Sequence, residues 1–249
     1  MPHRLFDLAG VSDYLHLSPA DVELLVRRQE IPHERIGGRL TFLRKDVDAW
    51  ASQRILGLPP KPLHDYHRRS SAKTHNLSNH HAIVAELLRP ACVAPDLTGR
   101  TKPSVLRAMV KLAERSEIGH DPEDLLRSLR EREELCSTAL PGGVALLHPR
   151  HHEPYMFEDS FLAVGRVPAA VPFGAVDGSL TDIFFLVCCQ DDRIHLHVLA
   201  RLCLMATRTR MLDAVRCAPD ATAIILAIRD AEQDVIRSLT LPHHGARSP

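Results

Sequence analysis

Four residues in the second half of the chain have the chemistry of a phosphoryl relay. His148 ends an apolar run, Gly143-Val144-Ala145-Leu146-Leu147, and is followed by Pro149-Arg150. A second imidazole, His195, lies in Ile194-His195-Leu196-His197-Val198-Leu199. Arg132, followed by Glu133, precedes His148, and Ser137-Thr138 falls between them. A neutral imidazole nitrogen attacks phosphorus readily, and a guanidinium fork binds two phosphoryl oxygens at once, which lysine does poorly. His195 near a helix start would add backbone N–H groups and the positive end of the helix dipole. Thr138 can contribute a hydroxyl.

Blander roles compete with each assignment. The chain holds 16 histidines, so one beside a motif is weak evidence by itself. Arg132 sits in the mixed-charge run Arg127-Ser128-Leu129-Arg130-Glu131-Arg132-Glu133-Glu134, where a solvated charge is an equal reading. His197, two residues from His195 on one helix, points in another direction and is expected to pack or face solvent. A metal site built from His148, His151, His152 and Glu153, or around His80-His81, matches no closed four-ligand spacing, so neither metal nor any other cofactor is expected. Ser137 has no G-x-S-x-G elbow around it.

Elements must bring these residues together. The runs 144–147, 161–167 and 182–189 read as strands, the last apolar on both faces as befits an interior strand. Helical periodicity marks 77–88, 103–115, 121–134, 193–207 and 221–239. Strands and helices intermixed in this way predict an α/β class, with a C-terminal α/β/α layered domain on a mixed sheet over 75–240 and a tail at 241–249.

Ahead of this lies a smaller unit, 1–55. Residues 5–15 carry apolar side chains at helical spacing, and Ser18-Pro19-Ala20-Asp21 has the marks of a helix start that runs to about Gln29. Gly37-Gly38 between Arg35-Ile36 and Arg39-Leu40-Thr41-Phe42 signals a tight hairpin, and a helix follows over 44–54. Residues 56–74, with Pro59-Pro60-Lys61-Pro62 and Ser70-Ser71, read as a linker.

Composition narrows the classes. Lys+Arg and Asp+Glu are both 31, so no global charge pulls the chain toward nucleic acid or membrane. Within 27–45, however, Arg27, Arg28, Arg35, Arg39, Arg44 and Lys45 face only Glu30 and Glu34, a local excess suited to a phosphate backbone. The six cysteines form no C-x-x-C pair and several lie in apolar runs, which predicts buried reduced thiols and a cytoplasmic setting. No apolar run approaches the roughly 18 residues that span a bilayer, and no signal peptide is visible after Met1-Pro2-His3-Arg4, so no membrane insertion is expected.

Over about residues 75–240 the chain resembles the type-2 enzyme IIA domains of the bacterial phosphoenolpyruvate-dependent phosphotransferase system, including the nitrogen-regulatory branch. The resemblance rests on Arg132-Glu133, Thr138, the strand ending in His148, Phe173-Gly174-Ala175-Val176-Asp177-Gly178, and His195-Leu196. It implies that His148 accepts a phosphoryl group from an HPr-like phosphocarrier, with His195, Arg132 and Thr138 around it. Two prolines usual in that family are absent: Leu147 stands before the histidine, and Cys189-Gln190-Asp191 stands between strand and helix.

Residues 1–55 resemble the winged helix-turn-helix domains of excisionase and MerR type, which implies that the helix after Ser18 and the hairpin wing meet DNA. Asp21 and Glu23 stand where relatives carry neutral or basic side chains, and Gln29 replaces the usual closing glycine. Domains of this type often act as dimers, so a homodimer stays open, although no heptad helix is evident. The combination predicts a regulator that couples phosphorylation of His148 to DNA or protein binding. Two alternatives remain: a binding module whose IIA fold has lost phosphotransfer, and a sugar-specific phosphocarrier with an idle N-terminal extension.

Overall fold

The computed structural model describes residues 5–74, 83–119, 121–150, 156–190 and 192–240. The chain opens with a short strand, β1 (Leu5–Phe6), then α1 (Leu8–Tyr14), α2 (Pro19–Arg27), β2 (Glu34–Ile36), β3 (Arg39–Leu43) and α3 (Arg44–Leu56). Leu5 and Phe6 were expected to begin a helix. Instead they pair antiparallel with Leu43 and Phe42, because the Asp7 carboxylate accepts from Gly10 N at 2.7 Å and caps α1 after them.

The start of α2 is a capping box: Ser18 Oγ accepts from Asp21 N at 3.1 Å and donates to Asp21 Oδ2 at 2.7 Å. That bond accounts for the acid at position 21 in local terms, without reference to DNA. Gln29 follows the C-cap Arg28 with φ +55°, the left-handed conformation that a glycine takes more easily. Gly37 and Gly38, at φ +58° and +80°, make the two-residue turn of the β2–β3 hairpin. Val11, Val22, Leu25, Phe42 and Val47 are buried at the centre of this unit.

The stretch expected to be a linker is helical: α4 spans Pro60–Thr74. The two prolines at positions 60 and 62 fall in its first turn, where a missing N–H costs nothing, so proline here opens a helix. Next come α5 (Ile83–Leu87), β4 (Leu88–Ala94), α6 (Lys102–Ala113), α7 (Pro122–Leu135), β5 (Ala139–Leu140) and β6 (Val144–Leu147). The chain continues through β7 (Phe161–Val171), β8 (Thr181–Cys188), α8 (Asp192–Arg208), α9 (Met211–Cys217) and α10 (Ala221–Thr240). Half of the helix expected over 77–88 lies outside the described residues; 83–87 form α5, and its last residue, Leu88, begins β4.

The five strands are ordered β4-β7-β8-β6-β5. β4 runs parallel to β7 and β6 parallel to β8, while β7 is antiparallel to β8 and β5 to β6, so the sheet is mixed. β8 is central and almost wholly buried. Alternate residues divide its faces: Ile183, Phe185 and Val187 pack toward Leu199, Leu202 and Ile228, whereas Phe184, Leu186 and Cys188 pack toward Val105, Met109 and Leu125. The first of these cores runs on without a break into the N-terminal unit and α4.

Cys92, Cys188, Cys189 and Cys203 are buried free thiols, and burial raises Cys92 to about 11 and Cys203 to about 12, so both stay protonated. Among the described residues no helix is long and apolar enough to cross a membrane.

Candidate phosphohistidine site

β6 delivers His148 at its end, one residue past the parallel pair Leu147 and Leu186. The turn that leads into β6 is built from Gly142 and Gly143, at φ +92° and +84°. A side chain at 143 would put its Cβ 2.6 Å from Arg216 Nη2 and 3.1 Å from the Leu180 carbonyl. Arg216 is held there by Asp182, with Nε to Oδ2 at 2.7 Å and Nη2 to Oδ1 at 2.8 Å. The glycine pair thus lets the strand start close against β8, and this fixes how far along the sheet His148 emerges.

The His148 ring is pinned at both nitrogens. Nδ1 lies 2.8 Å from the Leu146 carbonyl, which can only accept, so Nδ1 carries the proton. Nε2 therefore holds the lone pair, and it accepts from Arg132 Nε at 2.9 Å. The ring is the neutral tautomer with its nucleophilic nitrogen directed at a guanidinium. His195 approaches from the first turn of α8, with its ring centroid 5.1 Å from that of His148. The three side chains are 1 % (His148), 2 % (Arg132) and 0 % (His195) exposed.

Arg132 comes from the last turn of α7, beyond the reach of solvent and not on a hydrated face. Its Nη1 donates to the Cys136 carbonyl at 3.1 Å and approaches the Cys136 Sγ at 3.3 Å. Its Nη2 is buried with no hydrogen-bond partner among the described residues. A buried donor left open costs about 1–3 kcal/mol, and a phosphoryl oxygen would satisfy it.

Thr138 does not reach the histidines through any described hydrogen bond. Its Oγ1 donates to Glu133 Oε2 at 2.7 Å, and its backbone N donates to the same carboxylate at 3.1 Å. Lys102 Nζ completes this cluster at 2.9 Å from Glu133 Oε1. Because the Thr138 carbonyl accepts from Leu146 N at 3.1 Å, Thr138 ties the end of α7 to β6, one link behind Arg132.

His197 faces away from His148, as the helical spacing requires. It stacks on His67 of α4 at 4.6 Å between centroids, and its Nδ1 lies 2.9 Å from Ser70 Oγ. His67 Nε2 accepts from Arg201 Nε at 2.6 Å, and Arg201 Nη1 pairs with Glu232 Oε1 at 2.9 Å. Glu232 in turn accepts from the backbone N of Val84 and Ala85. Burial pushes the Glu232 carboxyl up, against the pull of Arg201 and the two N–H groups. No sequence signal joins α4 to α8, so this network is visible only in the fold.

Ser52, on α3, was also missed. It is buried, and its Oγ lies 3.4 Å from His195 Nε2. A serine in a polar helix with no distinct apolar face reads as neutral filler, and only the packing of α3 against α8 gives it a place beside the site.

The basic residues expected to meet nucleic acid are spread over the end of α2, the hairpin and the start of α3. Arg27, Arg28, Arg35, Arg39 and Lys45 are exposed. Arg28 lies 3.8 Å from Glu30, and Arg44 lies over the rings of Phe6 and Tyr14 at 5.7 and 6.0 Å. The alternative metal ligands His80, His81, His151, His152 and Glu153 lie outside the described residues. Among the described residues no group of three or more His, Cys, Asp or Glu is placed to hold a metal ion.

Residues 86–231, more than half of the chain, match the family described as phosphoenolpyruvate-dependent sugar phosphotransferase system, EIIA 2, and residues 5–55 match a helix-turn-helix domain family. The chain is similar to a nitrogen regulatory protein of Pseudomonas aeruginosa, 28% identical over 151 residues that cover 60% of this chain and 96% of that protein. Its fold is similar to nitrogen regulatory protein IIA-Ntr from Neisseria meningitidis, with TM-score 0.53 and 24% identity over 59% of this chain and 99% of the other. It is also similar to the mannitol enzyme IIA of Escherichia coli, solved in complex with phosphorylated enzyme IIB, with TM-score 0.51 and 13% identity over 58% of this chain and 99% of the other.

Proposed function

This chain belongs to the type-2 EIIA family of the phosphoenolpyruvate-dependent sugar phosphotransferase system, and on that premise we propose that it is a cytoplasmic regulator phosphorylated on His148. The donor is an HPr-like phosphocarrier, and the state of His148 is coupled to DNA or partner binding by the helix-turn-helix domain. The observation that carries the reading is the pinned ring: a proton on Nδ1 held by Leu146, a lone pair on Nε2, and Arg132 2.9 Å from it.

In the transfer, Nε2 forms a bond to phosphorus as the bond from phosphorus to the carrier's imidazole breaks. The carrier's ring, protonated on its other nitrogen, leaves neutral. The positive charge that arises on the His148 ring is shared with the Leu146 carbonyl through Nδ1–H, and Arg132 and His195 face the phosphoryl oxygens. The helix-turn-helix domain is what separates this chain from a plain sugar relay, which has no need of one.

The test is incubation of the chain with phosphoenolpyruvate and the upstream relay proteins. An acid-labile, base-stable phosphate should form on the unaltered chain and be absent from His148→Ala. Its persistence in that variant would refute the assignment. A second reading, a binding module that no longer accepts phosphate, draws on the burial of His148 and on Leu147 in place of proline. Under that reading no phosphate forms at all, while operator binding in a mobility-shift assay is intact.

A further inference from the structure

We infer that the N-terminal helices form a cover over the phosphoacceptor pocket, so that docking of a phosphocarrier protein and docking of α3 on α8 exclude each other. The inference rests on His148 being the acceptor, and adds to it a physical route by which the two domains communicate.

A carrier must bring phosphorus to bonding distance of His148 Nε2, and its own surface must then lie against the pocket. In this structure that surface is taken. His148, His195 and Arg132 are all buried, and the residue set against His195 Nε2 is Ser52 of α3. Helix α3 has an unusual burial pattern for a helix that should present one face to its own small domain. Val47, Ala51 and Ile55 are buried, but so are the polar Asp48 and Ser52, one turn apart on a second stripe. Asp48 accepts from Tyr14 OH at 2.9 Å, inside its own domain. Ser52 reaches across the boundary to the site imidazole. Small side chains at Ala51 and Ser52 let the helix approach that ring closely.

Helix α8 holds both N-terminal helices through imidazoles two residues apart. His195 meets α3 at Ser52, and His197 meets α4 at His67 and Ser70. A phosphoryl group on His148 adds about −1.5 to −2 charges and three acceptor oxygens beside a ring whose neighbours are already in contact. With His148 1 % exposed solvent cannot screen it, and Ser52 of α3 stands beside the neighbouring His195 Nε2. The phosphoryl group and the docked α3 therefore compete for the same space beside His195. Phosphorylation frees the helix-turn-helix domain, and anything that lifts that domain away opens His148.

The experiment is footprinting of the full chain with diethyl pyrocarbonate, resolved by residue in a mass spectrometer. Ser52→Trp and, separately, Ala51→Arg should speed carbethoxylation of His148 and His195 by about tenfold or more, with His33 as the unchanged reference. Equal rates in the unaltered chain and in both variants would overturn the cover. A second measurement needs no variant: after chemical phosphorylation of the unaltered chain with phosphoramidate, amides of residues 44–56 should exchange with deuterium faster. Unchanged protection on a chain phosphorylated at His148 would overturn the inference. If opened variants label at His148 yet take no phosphate from a phosphorylated carrier, the acceptor reading fails and the cover stands.

Discussion

Arg132 Nε donates to His148 Nε2 across 2.9 Å, so the nitrogen suited to attack phosphorus is capped by the group suited to bind the phosphoryl oxygens. The two roles are compatible only if the guanidinium turns as the phosphoryl group arrives. Its anchor on the Cys136 carbonyl through Nη1 gives it a pivot, and its open Nη2 gives it a donor to turn toward phosphate. The resting contact keeps the ring in the reactive tautomer, and the moving contact would stabilise the transferred group.

The first prediction follows from that geometry. Arg132→Lys keeps the charge but loses Nε and the planar fork, so the rate of phosphorylation from a phosphorylated carrier should fall by about 10²–10³. Rapid-quench measurement of label on the protein checks this. A rate within about threefold of the unaltered chain would remove Arg132 from the site.

Glu133 stabilises more than it catalyses. Its buried carboxylate collects Lys102 Nζ, Thr138 N and Thr138 Oγ1. Glu133→Ala leaves all three without that acceptor and should destabilise the fold by about 3 kcal/mol. Urea denaturation gives the value, and a loss under about 1 kcal/mol would mean water replaces the carboxylate freely.

The order in which features became legible has physical causes. β6 and the histidine at its end were readable because a buried strand must be apolar and Gly142-Gly143 must precede it. The capping box at Ser18 and the Gly37-Gly38 turn were readable because their chemistry is local. Residues 60–74 read as a linker because proline is equally a linker residue and a first-turn residue, and only packing on α8 decides which. Arg132 could not be told from a solvated charge, since its burial and its bond to His148 depend on tertiary packing that its mixed-charge neighbours do not reveal. Thr138, assigned to the site by resemblance, bonds instead to Glu133, five residues away. Ser52 was beyond reach for the same reason as the His67–Arg201 bond: both are contacts between units that sequence reading treats separately.

The two kinds of glycine in the chain make a paired prediction. Gly37 has φ +58° with open space around it, so Gly37→Ala should cost only the left-handed backbone strain, about 1 kcal/mol. Gly143 has φ +84°, and a Cβ added there would lie 2.6 Å from Arg216 Nη2 and 3.1 Å from the Leu180 carbonyl, so Gly143→Ala should cost distinctly more and displace β6. Denaturation of both variants tests the ranking. Equal losses would show that the turn before His148 tolerates a side chain.

The network beneath α4 gives the pH dependence. Burial, then the charges of His197, Arg201 and His64, hold His67 well below its ordinary 6.5, and Arg201 Nε–H occupies its Nε2 lone pair. The native state therefore keeps His67 neutral while the unfolded chain takes up a proton near pH 6.5. With the unfolded state binding more protons, stability rises with pH. The contribution is complete above 6.5 and declines as pH falls below it, by at most about 1.4 kcal/mol per pH unit for one proton. Gln at position 67 can still accept from Arg201 but cannot titrate. The drop in urea midpoint between pH 7.5 and 5.5 should thus be smaller in His67→Gln than in the unaltered chain. Identical drops would mean that His67 takes up its proton in the folded state as readily as in the unfolded one, and that α4 does not shield it.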